Sequence, residues 1–230
     1  MDRQEQTAVS AVWRCLRLDA AGAFVDTVLE TDGTMNEALP VAAQTLAEQA
    51  RAALGKRNLI FVGLMGAGKS VIGRLAAQTL GVPFIDTDGE IERVSRMTIA
   101  ELFAAYGESE FRALETRVIE RLLKQGPRVI STGGGAFINE NTREQIKLGG
   151  VSLWLKADLD VLWERVNRRD HRPLLKTENP KQTLENLMIQ RYPIYAQADL
   201  TVLSEDVRKE VMVNQVLKAL VTLAKKGGTA

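Results

Sequence analysis

From residue 57 onward, short apolar runs alternate with longer stretches whose apolar residues recur at every third or fourth position. The runs at 58–63, 83–86, 128–131, 150–155 and 199–203 have the length of strands. After the first run, Ile72, Leu75, Ala76 and Leu80 fall on one helical face. The interval between the second and third runs reads as helix throughout, through Ile91, Val94, Ile99, Leu102 and Phe103, then Phe111, Leu114, Val118 and Leu122. Asp158 can cap a helix carrying Leu159, Leu162, Trp163 and Val166 on one side, and Val213, Val216, Leu217 and Leu220 share a face near the end. Strand and helix in strict alternation predict an α/β domain built on a parallel sheet with crossover helices.

Two segments break the pattern. Residues 1–56 form a leader in which Val12–Leu18 reads as a short strand, and Ala20–Gly22 and Thr31–Thr34 as turns. Leu39, Ala43, Leu46, Ala50 and Leu54 then recur at helical spacing, with Pro40 at the start and Gly55 past the end, so a helix is expected near 40–54. The leader is expected to be partly disordered before that helix, and the main domain to occupy 57–230. Residues 167–182 are rich in charge, poor in apolar periodicity and bounded by Pro173 and Pro180. That composition predicts a mobile lid.

Composition narrows the function. A net charge of +1 over 230 residues argues against broad electrostatic capture of nucleic acid. Over residues 1–50, eight acidic residues face three arginines, which makes the leader a poor DNA-binding arm. Cys15 and His171 are the single cysteine and histidine, leaving no disulfide and no thiolate or imidazole metal cluster. No run approaches the roughly 18 apolar residues that a spanning helix requires. The first thirty residues carry acids and read as neither a secretory signal nor a transit peptide. A cytoplasmic protein is expected.

The chemistry concentrates after the strands. Gly63-Leu64-Met65-Gly66-Ala67-Gly68-Lys69-Ser70 stands between an apolar run and a helix, the context in which such a loop wraps polyphosphate with backbone N–H groups. Lys69 would reach the β and γ phosphates, and the Ser70 hydroxyl would ligate Mg²⁺. After the second run, Asp86 and Asp88 would face the same side of an extended segment. One would hold the magnesium water shell and the other an acceptor hydroxyl, although Asp88 could also simply cap the next helix. Gly133-Gly134-Gly135 clears every side chain from the end of the third strand, letting a small ligand touch backbone. Arg112, Arg172 and Arg191, with Arg165 or Arg168 before the lid, offer guanidinium forks for carboxylate or phosphate. His171 reads as a surface residue, and Trp13, Trp154 and Trp163 as packing residues.

Taken in order, the loop 63–70, Phe84–Asp88 with Gly89-Glu90-Ile91, Phe111-Arg112, the triple glycine, Arg172-Pro173-Leu174-Leu175 and Arg191-x-Pro-x-Tyr195 resemble the shikimate kinase family. The resemblance spans residues 57 to 225 and does not reach the leader. It implies a P-loop NTPase fold with a five-stranded parallel sheet in the order 2-3-1-4-5, flanked by helices and closed by a lid. It further implies ATP-dependent phosphorylation of the 3-hydroxyl of shikimate, in chorismate and aromatic amino-acid synthesis, by a monomer. Asp88, Arg112, Gly134 and Arg191 would contact shikimate, with Asp88 holding the ring hydroxyls and the two arginines its carboxylate. Gly66, Ala67, Gly68, Lys69, Ser70, Val71 and Arg172 would hold ATP. Lys69 and Arg172 would stabilise the transferred group, and Mg²⁺ would sit on Ser70 with Asp86 behind it through water. Arg165 and Arg168 both suit the adenine, and Arg208 is a further candidate near the nucleotide. Another small-molecule kinase of the same fold lacks a use for the triple glycine with Asp88, Arg112 and Arg191. A kinase-like ligand-sensing regulator would need a DNA-binding domain that this leader is too short and too acidic to supply.

Overall fold

The computed structural model describes residues 45–167 and 177–227, together with strand residues 17–18 and 24–25. The chain divides into two compact units, Met1–Ala42 and Ala43–Ala230. In the first, β1 (Arg17–Leu18) pairs antiparallel with β2 (Phe24–Val25). The strand expected over 12–18 is thus described at its last two residues. The turns expected in the leader, and its expected disorder, lie outside the described residues.

The second unit begins with α1 (Leu46–Leu54). Thr45 accepts a bond from the Glu48 amide while Glu48 bonds back to the Thr45 amide, so both free ends of the first turn are satisfied. Positions 40–44 of the expected helix are outside the described residues. The boundary expected between 56 and 57 falls inside this unit, because Ala50 and Leu54 are fully buried.

Next come β3 (Asn58–Val62), α2 (Lys69–Leu80), β4 (Phe84–Asp86) and α3 (Thr87–Ser95). The long α4 (Ile99–Leu123) is broken at Gly107, whose φ of 76° and ψ of 176° are not helical. The chain continues through β5 (Val129–Ser131), a short 3-10 turn at Ala136–Ile138, α5 (Glu140–Gly149) and β6 (Gly150–Lys156). It ends with α6 (Leu159–Asn167), α7 (Pro180–Tyr195), β7 (Leu200–Leu203) and α8 (Lys209–Gly227).

The five strands β3 to β7 lie parallel in the order β4-β5-β3-β6-β7, which is 2-3-1-4-5 when counted from β3. Every residue of β3 is buried, as a central strand covered on both faces requires. The register aligns Asp86 with Ser131, Ser131 with Phe61, and Phe61 with Leu153. The expected lid overlaps the last residue of α6 and the first turn of α7, and its centre, 168–176, lies outside the described residues.

α1 packs on α8 and α2, so it is part of the body that carries the phosphate loop. Leu54→Ala would remove a fully buried side chain, and a loss of about 2–5 kcal/mol is expected in urea unfolding. An unchanged unfolding midpoint would mean that the helix is dispensable.

Candidate active site

β3 ends beside β6, and the chain must leave the sheet there without a side chain. Gly63 has φ of 133°, and a Cβ at that position would stand 2.8 Å from the Leu155 carbonyl oxygen. The loop then turns back through an Ala67 N–H bond to the Leu64 carbonyl and opens α2 at Gly68. The Lys69 side chain is folded into this loop, its Nζ donating to the Gly63 carbonyl at 2.8 Å and the Leu64 carbonyl at 2.9 Å. A cation and a helix N-terminus thus share one concavity, the arrangement that polyphosphate needs.

Ser70, one residue on, donates from Oγ to Asp86 Oδ2 at 2.6 Å and lies 3.2 Å from Ser131 Oγ. Two hydroxyls and a carboxylate are hard oxygen donors that suit a divalent cation held mainly by phosphate and water. Among the described residues no group of three or more His, Cys, Asp and Glu could hold a metal by itself.

Asp86 and Asp88 both border the cavity, although not through strand alternation. β4 ends at Asp86, which caps α3 by accepting from the Asp88 amide at 3.2 Å, so Asp88 sits in a helical first turn. The cap is therefore Asp86 rather than Asp88. Burial, reinforced by Asp86, raises the Asp88 carboxyl above its ordinary 3.8, against the pull of Lys69 and Arg112.

Opposite stands the glycine triplet, with each missing side chain vacating space for another group. A Cβ on Gly133 would lie 2.9 Å from both Asp88 Oδ1 and Glu115 Oε1, and one on Gly135 would fall within 2.6 Å of the Arg112 guanidinium. Gly134 instead presents its carbonyl to Arg191 at 3.2 Å and to the Tyr195 hydroxyl. Tyr195 is fully buried, and burial pushes its hydroxyl up to about 12, so it stays a neutral donor. Tyr192 and Tyr195 pack on Trp154 of β6, and Tyr192 also bonds the Ala157 carbonyl. That aromatic knot fixes the turn of α7 on which Arg191 stands.

Glu115 escaped the sequence reading. It is 2% exposed and one turn beyond Arg112 in α4, whose Nη1 donates to its Oε2 at 2.8 Å. Its other oxygen, Oε1, has no hydrogen-bond partner among the described residues, and burial raises its carboxyl despite Arg112. The i, i+3 spacing to Arg112 was visible in the sequence, but the burial was not.

A cavity of about 550 Å³ runs from Asp88 and Gly133–Gly134 past Gly66, Gly68, Lys69, Ser70 and Val71 to Arg165 and the 204–209 segment. Arg165 donates to Ser204 Oγ at 2.8 Å, to the Gly66 carbonyl at 3.4 Å and to the Glu205 carbonyl at 2.7 Å. Ser204 in turn donates to the Ala67 carbonyl at 2.9 Å, so Ser204 braces the loop at Ala67. Lys209 and Met212, not Arg208, complete the wall. Arg168, His171 and Arg172 lie outside the described residues.

The family model for shikimate kinase matches residues 65–221. The chain belongs to the shikimate kinase family. A shikimate kinase from Rhizobium leguminosarum bv. trifolii is 73% identical over 196 residues, 85% of this chain and all of that protein. One from Rhizobium meliloti is 71% identical over 186 residues, 81% of this chain and 97% of its own. Among solved structures, shikimate kinase from Acinetobacter baumannii in complex with shikimate superposes with a TM-score of 0.71 at 35% identity, covering 75% of this chain and 97% of that one. As a shikimate kinase, the chain is a phosphotransferase that uses ATP, and ATP use implies a divalent metal. Among the described residues, no helix is long and apolar enough to cross a membrane.

Asp88 has a stability signature. Because its folded carboxyl holds its proton more tightly, the unfolded chain ionises first as pH rises through 3.8, and folding carries the full cost at neutral pH. Asp88→Asn is therefore expected to raise Tm at pH 7, with the advantage shrinking as pH falls towards 3.8 and absent below it. An Asp88→Asn protein less stable than wild type at pH 7 would contradict the buried, costly carboxylate.

Proposed function

We propose that the chain transfers the γ-phosphoryl group of ATP to the 3-hydroxyl of shikimate, a cytoplasmic step of chorismate and aromatic amino-acid synthesis, working as a monomer. The observation that carries this reading is the meeting of Asp88, Arg112 and Arg191 around Gly133–Gly135, one loop away from Lys69. An acid beside two guanidinium groups suits a ligand that is both hydroxylated and a carboxylate.

In this reading Arg112 and Arg191 hold the shikimate carboxylate, and the Gly134 backbone lies against the ring. Asp88 accepts a hydrogen bond from the 3-hydroxyl, aims its oxygen at the γ phosphorus and takes its proton as the new O–P bond forms. The bond from the γ phosphorus to the β–γ bridging oxygen breaks, and ADP keeps that electron pair. The raised Asp88 carboxyl favours this role, since it makes the carboxylate a stronger proton acceptor. Lys69 exchanges its loop carbonyls for phosphate oxygens, and Arg172 is assigned the transferring group. Gly66, Ala67, Gly68, Ser70 and Val71 supply the loop and first helical turn around the phosphates. Ser70 Oγ, with the Asp86 carboxylate beside it, would hold Mg²⁺, which when bound would supply positive charge to the phosphates. Arg165, tied to the loop and to 204–205, is assigned the adenine side.

The test is ADP release with ATP, Mg²⁺ and shikimate, run beside gluconate and a no-acceptor control. Shikimate-dependent turnover is expected, and its absence despite ATP binding would sink the proposal. Arg172→Ala should lower kcat by about a hundredfold or more if it stabilises the transferred charge. Near wild-type kcat would remove it from that role.

A further inference from the structure

Arg112 is occupied on both sides in this structure. Its Nη1 donates to Glu115 Oε2 at 2.8 Å, while its Nε and Nη2 both reach Glu108 Oε1, at 3.4 and 3.3 Å. A carboxylate binds a guanidinium most strongly through two parallel N–H bonds, and the Nε/Nη2 edge of Arg112 already has Glu108 on it, while Glu115 holds Nη1. A carboxylate arriving at the Nε/Nη2 edge must displace Glu108.

The two glutamates differ in their freedom to leave. The Glu115 side chain is 3% exposed, and its second oxygen has no hydrogen-bond partner among the described residues, so withdrawing Arg112 would strip this buried carboxylate of its ion pair. The Glu108 side chain is 69% exposed, holds Arg112 through one oxygen at the long end of hydrogen bonding, and can rotate into water. It also follows Gly107 directly, where α4 is broken. Glu108 is the one that yields.

We infer that Glu108 is a built-in competitor for the substrate's carboxylate, occupying the Nε/Nη2 edge of Arg112 until that carboxylate replaces it. The inference rests on the reading of Arg112 as a carboxylate clamp. Binding then exchanges one carboxylate for another, and affinity reflects the difference between the two. A neutral polyol cannot match the displaced charge and gains nothing from Arg112, so the same contact discriminates in favour of anionic substrates.

The experiment compares shikimate affinity by calorimetry for wild type, Glu108→Gln and Glu110→Gln, with ADP affinity measured alongside. Glu110 is exposed on the same helix and has no ion pair with Arg112 among the described contacts, so it removes the same charge without the same contact. Glu108→Gln is expected to tighten shikimate by about two- to five-fold, the range an exposed pair allows, with ADP unchanged. Glu110→Gln should show no comparable gain. Unchanged or weaker shikimate binding in Glu108→Gln, beside wild-type protein that binds shikimate, would overturn the inference alone. An equal gain in both variants would also overturn it, because the effect would then be general repulsion. Wild-type protein that bound ADP but not shikimate would overturn the reading of the site and this inference with it.

Discussion

Parallel pairing decides where the chemistry can happen. With Asp86, Ser131, Phe61 and Leu153 in register across four strands, the chain leaves the sheet on one side at nearly one level. Loops that start level at the carboxyl ends of strands open onto a common crevice. The phosphate loop, the acidic cap of α3 and the glycine triplet are neighbours for that reason. Gly63 marks how tight the constraint is, since the exit from the central strand leaves no room for a side chain.

The crevice is costly to build. Asp88 and Glu115 are carboxylates removed from most of their water, and each is raised by that burial. Lys69 and Arg112 offset part of the cost, as cations facing a cluster of acids. Stability is set against preorganisation here: the buried carboxylates and the cations that face them already stand together in a low-dielectric pocket. The surrounding apolar body, from β3 to α1 and α8, supports that expense with side chains that are almost wholly buried.

Aromatic packing does for Arg191 what ion pairing does for Arg112. Tyr192 and Tyr195 flank it on α7 and lock onto Trp154, while the Tyr195 hydroxyl shares the Gly134 carbonyl with the arginine itself. The two guanidinium groups approach the same glycines from different helices. One is steered by charge and the other by shape.

The local pattern alone determined the strands, which the structure places within one residue of their expected ends, and it determined the phosphate loop, because glycine turns and helix starts are written in adjacent residues. The motif order also carried the family. Tertiary structure decided the rest. It put Asp88 in a helical turn, since the chain closes α3 as soon as β4 ends. It docked α1 into the body, buried Glu115, and tied Arg165 to the phosphate loop through Ser204, whose hydroxyl meets Ala67 across 137 positions. Periodicity reports which face of an element is apolar. It cannot report which polar residue on that face will be sealed from water, because that depends on elements packed from far along the chain.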